Sequence, residues 1–577
     1  MISLLLALTP LWPLLLVLLT LGSNKASPWR DALLLSAPLP ALVLALWATP
    51  DPAVTHLSLP WLFLGGLWWL DEIRQVFLLV TSLLWLVGGL FAQGYLGYSS
   101  ASGWLRFQRL WLLTMAGNLL LILAEDLASF YAGFALMTFA GYGLVIHDRT
   151  ETARAAGRYY LILALAGEGL ILIGLLGLAS QVAAPQMSQI AQFWQAESSG
   201  QWIWMLTLVL GFGVKAGLPL LHVWLPLAHP VAPTPASAVL SGAMVKAGLL
   251  AWWLLLPLGS ESWPGVGQGL VYAGLLGALG AGLLGVGQAQ IKAVLAYSTV
   301  SQMGMMIALT GAGLMSAQLW PLLLPVLLAF VTHHGLIKTN LFLSVGLPWT
   351  TKRIQALGIF LLLPPLMLVG WLGSGLLIKS GFKAALYTAD LVLLVGLLTL
   401  AATATASLML RYLWLLWQAA QPPAKSAAGK PVAALIFLWG SWAGSLLLAL
   451  SLPGWPLLAE LEWASLAWKD VFSLVWPVAL AMVLIGLLGK KFHAWVPAGD
   501  CLWLYCYLVR GGAVVVQRLA QGFVQARHQL FLVWQRGVGV FQGRVKTARL
   551  QDWEQRYALI SFAALLLVLA WLSGTGR

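Results

Sequence analysis

Charge is scarce in this sequence. Only 8% of its 577 residues are Asp, Glu, Lys or Arg, whereas a soluble domain carries about 25%. Hydrophobic residues make up 60% of the chain. Many apolar runs reach the ~20 residues that a helix needs to cross the hydrocarbon core of a membrane. The composition therefore excludes a soluble globular protein and predicts an all-α polytopic membrane protein.

Cysteine is nearly absent as well. Cys501 and Cys506 are the two cysteines, and no His/Cys cluster with metal-ligand spacing surrounds them. The sequence also lacks a flavin, haem or iron–sulfur motif, so we expect no metal and no cofactor, and any redox chemistry would belong to partner proteins. Alternating segments of about ten residues are missing too, which excludes a transmembrane barrel.

Hydropathy predicts about 14–16 transmembrane helices. We place the spans at residues 2–22, 31–48, 73–96, 107–124, 127–147, 158–180, 202–228, 234–258, 268–288, 291–311, 317–347, 354–388, 389–418, 432–452, 472–489 and 556–573. The N-terminus lacks a basic region and is expected to be a first span instead of a cleaved signal. Segment 54–70 is too interrupted for a span and is interpreted as an interfacial hairpin. Segment 490–555, rich in Arg and Gln, is predicted to be a lateral amphipathic helix.

Acidic residues, 18 against 31 Lys and Arg, are unevenly distributed among the loops. Connections after odd-numbered spans contain Lys25 and Arg30, Arg106 and Arg109, Arg149, Arg154 and Arg158, Lys292, Lys352 and Arg353, and Arg411, Lys425 and Lys430. Even connections contain Glu125, Asp126, Glu197, Glu261, Glu460 and Glu462 instead. By the positive-inside rule the odd loops are cytoplasmic, and the N-terminus lies outside a bacterial inner membrane. The net charge of +13 thus indicates cytoplasmic loops and not nucleic-acid binding.

The stretch GFGVKAGLPLLHVWLPLAHPVAPTPASAVLSGAMVKAGLL, residues 211–250, is apolar yet carries Lys215, His222, His229 and Lys246. It is also interrupted by five prolines. A broken membrane helix is tolerated where neighbouring protein or an internal cavity satisfies the freed backbone groups. A buried lysine is costly and indicates function, and histidine can relay protons. The alternatives are a snorkelling Lys215 and a His229 that only caps a loop.

A second group of ionisable residues follows. VTHHGLIKTN contains His333, His334 and Lys338, and the next span, broken after two prolines, contains Lys379 and Lys383. A broken, lysine-bearing span thus occurs twice, five spans apart, which is the pattern of an internal repeat with ion sites at both breaks.

Glu168 is the acidic residue nearest the middle of a span, in ALAGEGLIL. A carboxylate there would hold Lys215 protonated, and loss of the pairing would release the proton. The alternative is a glutamate satisfied by backbone or water without a role in transport.

These stretches resemble antiporter-like membrane subunits of respiratory complex I, of Mrp-type Na+/H+ antiporters (subunits A and D) and of energy-converting hydrogenases. The resemblance is specific at residues 211–249, 291–304 and 333–346 and extends over roughly 110–400. It implies a fourteen-helix core with two inverted five-helix repeats. The implied divisions are 1–106, 107–258 for the first repeat, 268–418 for the second, 432–489, and 490–577 with the lateral segment.

The resemblance also implies roles for individual residues. Lys215 and Lys379 become the broken-helix lysines of the two halves, Lys246 the connecting lysine, and His334 and Lys338 members of a central polar axis. One departure is clear, because Phe134-Ala135 occupies the site of the family's Trp-Glu pair, whose glutamate partners the first lysine. Ser241 stands at the site of another family histidine.

Three functions are compatible with the sequence. The first is a proton-translocating subunit of a multisubunit complex, with or without exchange for Na+. The second is a membrane-arm subunit of a complex I-like or hydrogenase-like redox complex. The third is an energising subunit for bicarbonate or CO2 uptake with a zinc-bearing partner. All three imply other membrane subunits and lipids as partners. A purely structural role is opposed by the buried lysines.

Overall fold

The computed structural model describes residues 1–21, 28–62, 65–97, 100–196, 200–421, 431–459, 468–488 and 502. Met1–Cys501 forms one compact unit and Leu502–Arg577 another. The predicted amphipathic segment 490–555 lies outside the described residues apart from Leu502, and the predicted last span, 556–573, lies wholly outside them.

Six of the described helices form the N-terminal part of the chain, before the first broken span. They are α1 (Ile2–Leu21), α2 (Pro28–Ser36), α3 (Leu39–Trp47), α4 (Glu72–Leu96), α5 (Ala101–Leu123) and α6 (Leu127–Val145). The predicted span 31–48 is thus two short helices, because the chain turns at Ala37 and Pro38. The predicted hairpin is present as two antiparallel strands, β1 (His56–Leu59) and β2 (Gly66–Trp69), with His56 opposite Trp69.

The next helices include the first broken span. They are α7 (Glu151–Ala179), α8 (Met187–Gln195), α9 (Gln201–Ala216), α10 (Trp224–Val231), α11 (Thr234–Val239), a π-helical turn (Leu240–Met244) and α12 (Lys246–Leu255). The short helix α8 and the π-helical turn were not predicted from the sequence.

The remaining helices include the second broken span. They are α13 (Pro264–Val286), α14 (Ile291–Met315), α15 (Trp320–Val345), α16 (Thr351–Val369), α17 (Ser374–Thr388), α18 (Val392–Ala419), α19 (Val432–Ser451), a 3-10 turn (Leu452–Gly454), α20 (Pro456–Ala459) and α21 (Trp468–Leu488).

Eleven helical segments among the described residues are long and apolar enough to cross a membrane. The prediction of an all-α polytopic membrane protein is therefore confirmed, whereas the inverted relation of the two repeats stays a prediction. The most apolar part of α14 is 100% buried and that of Thr234–Leu255 is 94% buried, against 33% for α1. These two segments form the centre of the bundle, and both carry polar side chains of the candidate site.

Polar side chains define where several spans begin. Asp71, Ser100, Asp126 and Thr150 precede α4, α5, α6 and α7, and each accepts a hydrogen bond from a backbone N–H of the first turn. Such N-caps satisfy donors that have no partner within the helix.

A buried ion pair joins the first turn of α4 to the loop between α5 and α6. The Arg74 guanidinium donates to the Glu125 carboxylate at 2.8 Å, and their side chains are 2% and 1% exposed. Burial raises the pKa of Glu125, and the adjacent Arg74 opposes that rise. Glu125 and Asp126 are both buried, and they contact residues of β2, α4 and α8.

Helices α13 and α14 approach closely along a face of glycines. A β-carbon at Gly274 would collide with the backbone nitrogen of Ala308, and one at Gly304 would lie 2.5 Å from the backbone nitrogen of Ala278. Small residues permit such close packing between membrane helices. This contact fixes α14 at the centre of the bundle.

We expect Gly274→Val to lower stability by about 1–3 kcal/mol, the usual cost of overpacking. Gly280→Val on the same helix is the matched control, because a β-carbon there has no neighbour within 4 Å. The thermal midpoint of the purified protein in detergent measures both. Equal losses in the two variants would show that the α13–α14 approach does not govern stability.

Candidate functional site: two lysine-bearing helix breaks and the line between them

The first helix break separates α9 from α10. Gly217 ends α9 with a φ of +81°, a left-handed conformation that glycine adopts without strain. The Leu218 N–H donates to the Gly213 carbonyl at 2.8 Å, and the Trp224 indole donates to the Val214 carbonyl at 2.8 Å. The carbonyl groups of the last helical turn therefore have partners, which makes the interruption tolerable inside a membrane.

Lys215 lies in the last turn of α9 and is 5% exposed. Its ammonium donates to the Tyr160 hydroxyl at 3.3 Å and lies 5.3–5.8 Å from the ring centres of Phe134, Tyr160 and Trp224. Aromatic faces attract a cation more strongly when it is removed from water. Lys215 thus points into the protein, and the alternative of a snorkelling lysine is not what the structure shows.

Glu168 and Lys215 line the same internal cavity. The centre of a water-sized sphere can occupy about 10 Å³ of it, which is space for about one water molecule. The Glu168 carboxylate lies near the Thr138 hydroxyl, but no described residue makes a hydrogen bond of normal distance and angle to either group. A water between these groups would satisfy all of them, because each is a buried polar atom without a protein partner.

The Glu168 backbone is held close to α9 by small residues. A β-carbon at Gly167 would lie 3.1 Å from the Val214 side chain and 3.2 Å from the Gly211 carbonyl oxygen. The close crossing of α7 and α9 thus brings the carboxylate and the lysine to one cavity.

The second break separates α16 from α17. Gly370 ends α16 with a φ of +83°, Gly373 has a φ of +58°, and α17 begins at Ser374. The Trp371 N–H donates to the Leu366 carbonyl at 2.9 Å, so this helix end also has partners for its backbone.

Lys379 lies in α17, is 7% exposed and faces a second internal cavity. Here the volume open to a water-sized sphere is about 20 Å³, and the polar lining residues are Gln302, His333, Lys379 and Thr405. The Lys379 ammonium has no hydrogen-bond partner among the described residues. Lys383, one turn further on, is half-buried and lies within electrostatic reach of Lys379.

Helices α14, α15 and α18 complete the second cavity. The His333 ring nitrogen Nδ1 lies 2.8 Å from the Ser374 hydroxyl at the start of α17. Gln302 donates to the Thr405 hydroxyl at 2.9 Å. His333 therefore connects the second break to the central helix α15.

A line of hydroxyl groups and lysines joins the central helices. The Lys246 ammonium donates to the Ser241 carbonyl at 2.8 Å, and the Ser241 hydroxyl lies 2.8 Å from that of Thr299. The Lys338 ammonium donates to the Ser298 hydroxyl at 2.6 Å. Ser298 and Thr299 are adjacent on α14, so Lys338 contacts directly the turn of that helix to which Lys246 is linked through Ser241.

The π-helical turn sets the position of Lys246. It ends at Met244, two residues before this lysine, and includes Ser241. The extra residue in such a turn shifts the side chains that follow, and π-helical turns often occur at functional sites.

The remaining histidines lie at different places around this line. The His229 ring stacks on Phe342 at 4.7 Å, and the Lys338 ammonium lies 5.1 Å from the centre of the same ring. His334 is buried within electrostatic reach of Lys246 and Lys338, and neither ring nitrogen has a hydrogen-bond partner among the described residues. His222 lies next to the first break, with its ring 6.5 Å from that of Tyr297.

Several residues of this arrangement were not selected from the sequence. They are Tyr160, Thr138, Ser298, Thr299, Gln302, Ser374 and Thr405. Tyr160 precedes Glu168 by eight residues on α7, a spacing that keeps both on one helix face. That spacing is the signal that could have identified it. The hydroxyl residues gave no such signal, because Ser and Thr are frequent in apolar helices.

On helix α6, Phe134 and Ala135 occupy the positions of the family's Trp-Glu pair, so this helix does not supply the glutamate. Phe134 lines the first cavity, as does Thr138 one turn later, whereas Ala135 does not. The carboxylate of the first cavity comes from Glu168 on the next helix instead.

Comparisons with known proteins agree with this geometry. Residues 124–410 match the family model described as "NADH:quinone oxidoreductase/Mrp antiporter, TM". This central region of the chain belongs to that family. The resemblance inferred from the lysine-bearing stretches is thereby confirmed.

Individual relatives come from two branches. The chain is 31% identical over 288 residues to "Hydrogenase-4 component B" of Escherichia coli (strain K12), which is 48% of this chain and 42% of the relative. It is 29% identical over 318 residues to "Na(+)/H(+) antiporter subunit A1" of Staphylococcus aureus (strain JH9), which is 52% of this chain and 38% of the relative. The chain thus spans less than half the length of these two curated relatives.

A solved structure shows the same fold. A chain in "Structure of Mrp complex from Dietzia sp. DQ12-45-1b" superposes with a TM-score of 0.74 at 22% identity, covering 98% of this chain and 66% of that chain. At this identity the likeness concerns the fold of the membrane subunit.

Gly370 gives a way to test the geometry of the second break. A β-carbon there would lie 2.5 Å from both Cδ and Cε of Lys379. Gly370→Ala should therefore cost more than Gly200→Ala, whose left-handed glycine has no neighbour within 4 Å. We expect an additional loss of about 1 kcal/mol, the lower end of overpacking costs, since a lysine side chain can move aside.

Most of the additional loss should disappear when Lys379→Ala is introduced as well, because the two closest atoms are then gone and only the Gly375 carbonyl oxygen remains, at 3.1 Å. Thermal midpoints of the single and double variants provide this double-mutant cycle. An additional loss that persists without Lys379 would place the lysine away from Gly370.

Proposed function

We propose that this chain is a proton-translocating membrane subunit of a multisubunit complex, in which buried Lys, His and Glu side chains carry protons through the bundle. The observation that carries the proposal is that the lysines at both helix breaks are buried and line small cavities of water size. Burying an ammonium in a membrane protein is costly, and buried ionisable groups of this kind mark ion pathways.

The geometry supports a path with three parts. Lys215, Glu168 and Tyr160 form the first, and Lys246, the hydroxyl groups of α14 and Lys338 form the second. His333, Ser374 and Lys379 form the third. Within the second part, contacts of 2.6–2.8 Å join Lys246 to the Ser241 carbonyl, the Ser241 hydroxyl to Thr299, and Lys338 to Ser298. Within the third part, His333 lies 2.8 Å from Ser374, whereas the Lys379 ammonium has no hydrogen-bond partner among the described residues. Water molecules would have to complete the path between parts, as hydrated cavities do in proton relays.

The charges of neighbouring groups determine which side chain holds the proton and which releases it along the proposed path. Lys215 keeps its proton while the Glu168 carboxylate is ionised nearby, because opposite charges stabilise each other in a medium of low dielectric constant. Protonation of Glu168 removes that support and favours proton release from Lys215. In the central part, Lys246 and Lys338 repel each other, so a proton on one favours departure from the other. His222, His229, His334 and Lys383 flank this path as further carriers.

The partners and location of the chain are also proposals. The loop charges favour a bacterial inner membrane with the N-terminus outside. The similarity to an E. coli hydrogenase component favours, as a second candidate function, the membrane arm of a hydrogenase-like or complex I-like redox complex. The similarity to an S. aureus antiporter subunit favours Na+ as the exchanged ion.

Affinity purification of the tagged full-length chain from its own host distinguishes these assemblies. A nickel–iron hydrogenase or quinone-reductase module would identify a redox complex, and Mrp-type subunits would identify an antiporter. A zinc-bearing partner related to carbonic anhydrase would identify inorganic-carbon uptake.

Lys379→Ala should abolish proton-coupled transport in vesicles that contain the assembled complex. Its ammonium is the charged group that lines the cavity at the second break. Lys352→Ala is the control, because Lys352 is exposed at the start of α16. A pH-sensitive dye inside the vesicles reports the flux, and full flux with Lys379→Ala would contradict the proposed path.

Glu168→Gln and Lys215→Met should each reduce proton flux by at least about a hundredfold, the lower end of the range for a lost proton-transfer group. The double variant should lose no more than either single one, because groups that act as a unit are not additive. Glu151→Gln makes the same change at an exposed position on α7 and should leave the flux unchanged. Losses that multiply in the double variant would mean that Glu168 does not act through Lys215.

A further inference from the structure

A large pocket lies outside the proposed proton path, between α5, α6 and the turn that leads into α7. The centre of a water-sized sphere can occupy about 680 Å³ of this pocket, far more than in either of the two internal cavities. This size lies in the usual range of small-molecule sites. The pocket contains Arg106 and Arg109 from α5 and His147 and Arg149 from the turn.

Positive charge is concentrated in this pocket. Arg149 lies within electrostatic reach of Arg106, and the two guanidinium groups repel each other. Asp148, which is exposed, is the carboxylate that acts on Arg106. Three arginines against one carboxylate leave a net positive site, which a bound anion would neutralise.

Two of the arginines are fixed by backbone carbonyls. Arg106 donates from Nη2 to the His147 carbonyl at 2.8 Å, and Arg109 donates from Nη2 to the Thr20 carbonyl at 2.6 Å. Each guanidinium has five N–H donors, so most remain available for a ligand. Fixing the side chains in advance lowers the entropic cost of binding.

Polar atoms in the pocket lack partners. Arg106 Nε and His147 Nδ1 are both buried, and neither has a hydrogen-bond partner among the described residues. Arg149 has a φ of 56°, which is uncommon for a residue with a side chain. Unpartnered polar atoms and backbone strain both concentrate at binding sites.

The other wall of the pocket is apolar. Leu110, Gly143 and Ile146 continue it along the membrane-spanning parts of α5 and α6. Arg106 lies five residues after the start of α5, about 7.5 Å along the helix axis. The basic end of the pocket is therefore placed at the end of the spans, and the apolar end beside the region of acyl chains.

We propose that this pocket binds the phosphate group of an anionic phospholipid, with its acyl chains along Leu110 and Ile146. Bidentate arginine contacts suit phosphate oxygens, and basic pockets between membrane helices bind anionic headgroups. Arg106, Arg109 and Arg149 contact the phosphate, and His147 lines the same basic end of the pocket. A free phosphate makes the same contacts with the arginines as the lipid headgroup, but it has no acyl chains to pack against the apolar wall.

Delipidated full-length protein in an uncharged detergent tests the site. The probes are phosphatidylglycerol, phosphatidylcholine with the same acyl chains, and glycerol 3-phosphate, and native mass spectrometry and thermal midpoints are the readouts. We expect phosphatidylglycerol to bind and stabilise the wild type more than phosphatidylcholine does. Arg149→Gln should weaken its binding roughly fivefold, the effect of one basic residue at a membrane surface. Arg106→Gln with Arg149→Gln should weaken it further.

Arg154→Gln with Arg158→Gln is the matched control, because both arginines are exposed on α7 and neither lines the pocket. Equal weakening in the control pair would assign the effect to diffuse surface charge and overturn the proposal. Equal binding of phosphatidylcholine would overturn recognition of an anionic lipid. Stabilisation by glycerol 3-phosphate equal to that by phosphatidylglycerol would overturn the lipid as ligand and identify a soluble phosphate. Arg149→Gln alone alters an exposed side chain, so its result does not depend on tolerance of the change at Arg106.

Discussion

The structure depends on keeping ammonium groups inside a membrane-embedded protein. Lys215, Lys246, Lys338 and Lys379 are 5%, 2%, 0% and 7% exposed, and each would cost about 2.5–3.5 kcal/mol at the centre of a lipid-facing helix. The surrounding structure offsets this cost in different ways. Aromatic rings and a tyrosine hydroxyl surround the first lysine, and carbonyl and hydroxyl oxygens bind the two central ones. Helix breaks, glycine crossings and the π-helical turn bring these partners into place.

The two halves of the protein differ in the side chains that surround the buried lysine at the helix break. The first cavity contains a carboxylate, Glu168, which comes from α7 instead of the family's position on α6. Among the described residues that line the second cavity none carries a carboxylate, and Lys379 faces His333 and neutral amide and hydroxyl groups. The two buried lysines therefore differ in their surroundings, because a carboxylate lies beside Lys215 and only neutral amide and hydroxyl groups and a histidine line the cavity of Lys379.

The sequence predicted the elements governed by local chemistry. Proline and glycine marked both helix breaks, apolar length marked the spans, and the interrupted segment 54–70 is the two-stranded hairpin. The π-helical turn at Leu240–Met244 was not predictable, because its extra residue depends on how Lys246 and Ser241 meet α14. Tyr160 and the hydroxyl groups of α14 gained their roles only through packing between distant helices. The inverted relation of the repeats and the lateral segment 490–555 stay predictions.

The central claim is that the lysines at the two breaks face a shared, hydrated interior. A cryo-electron microscopy map of the assembled complex, at a resolution that shows ordered water, tests it most directly. The account predicts water density between Glu168 and Lys215, beside Lys379, and along the hydroxyl groups from Ser241 to Ser374. Lysine side chains turned toward lipid headgroups, with dry aliphatic contacts filling the space between the breaks, would contradict it.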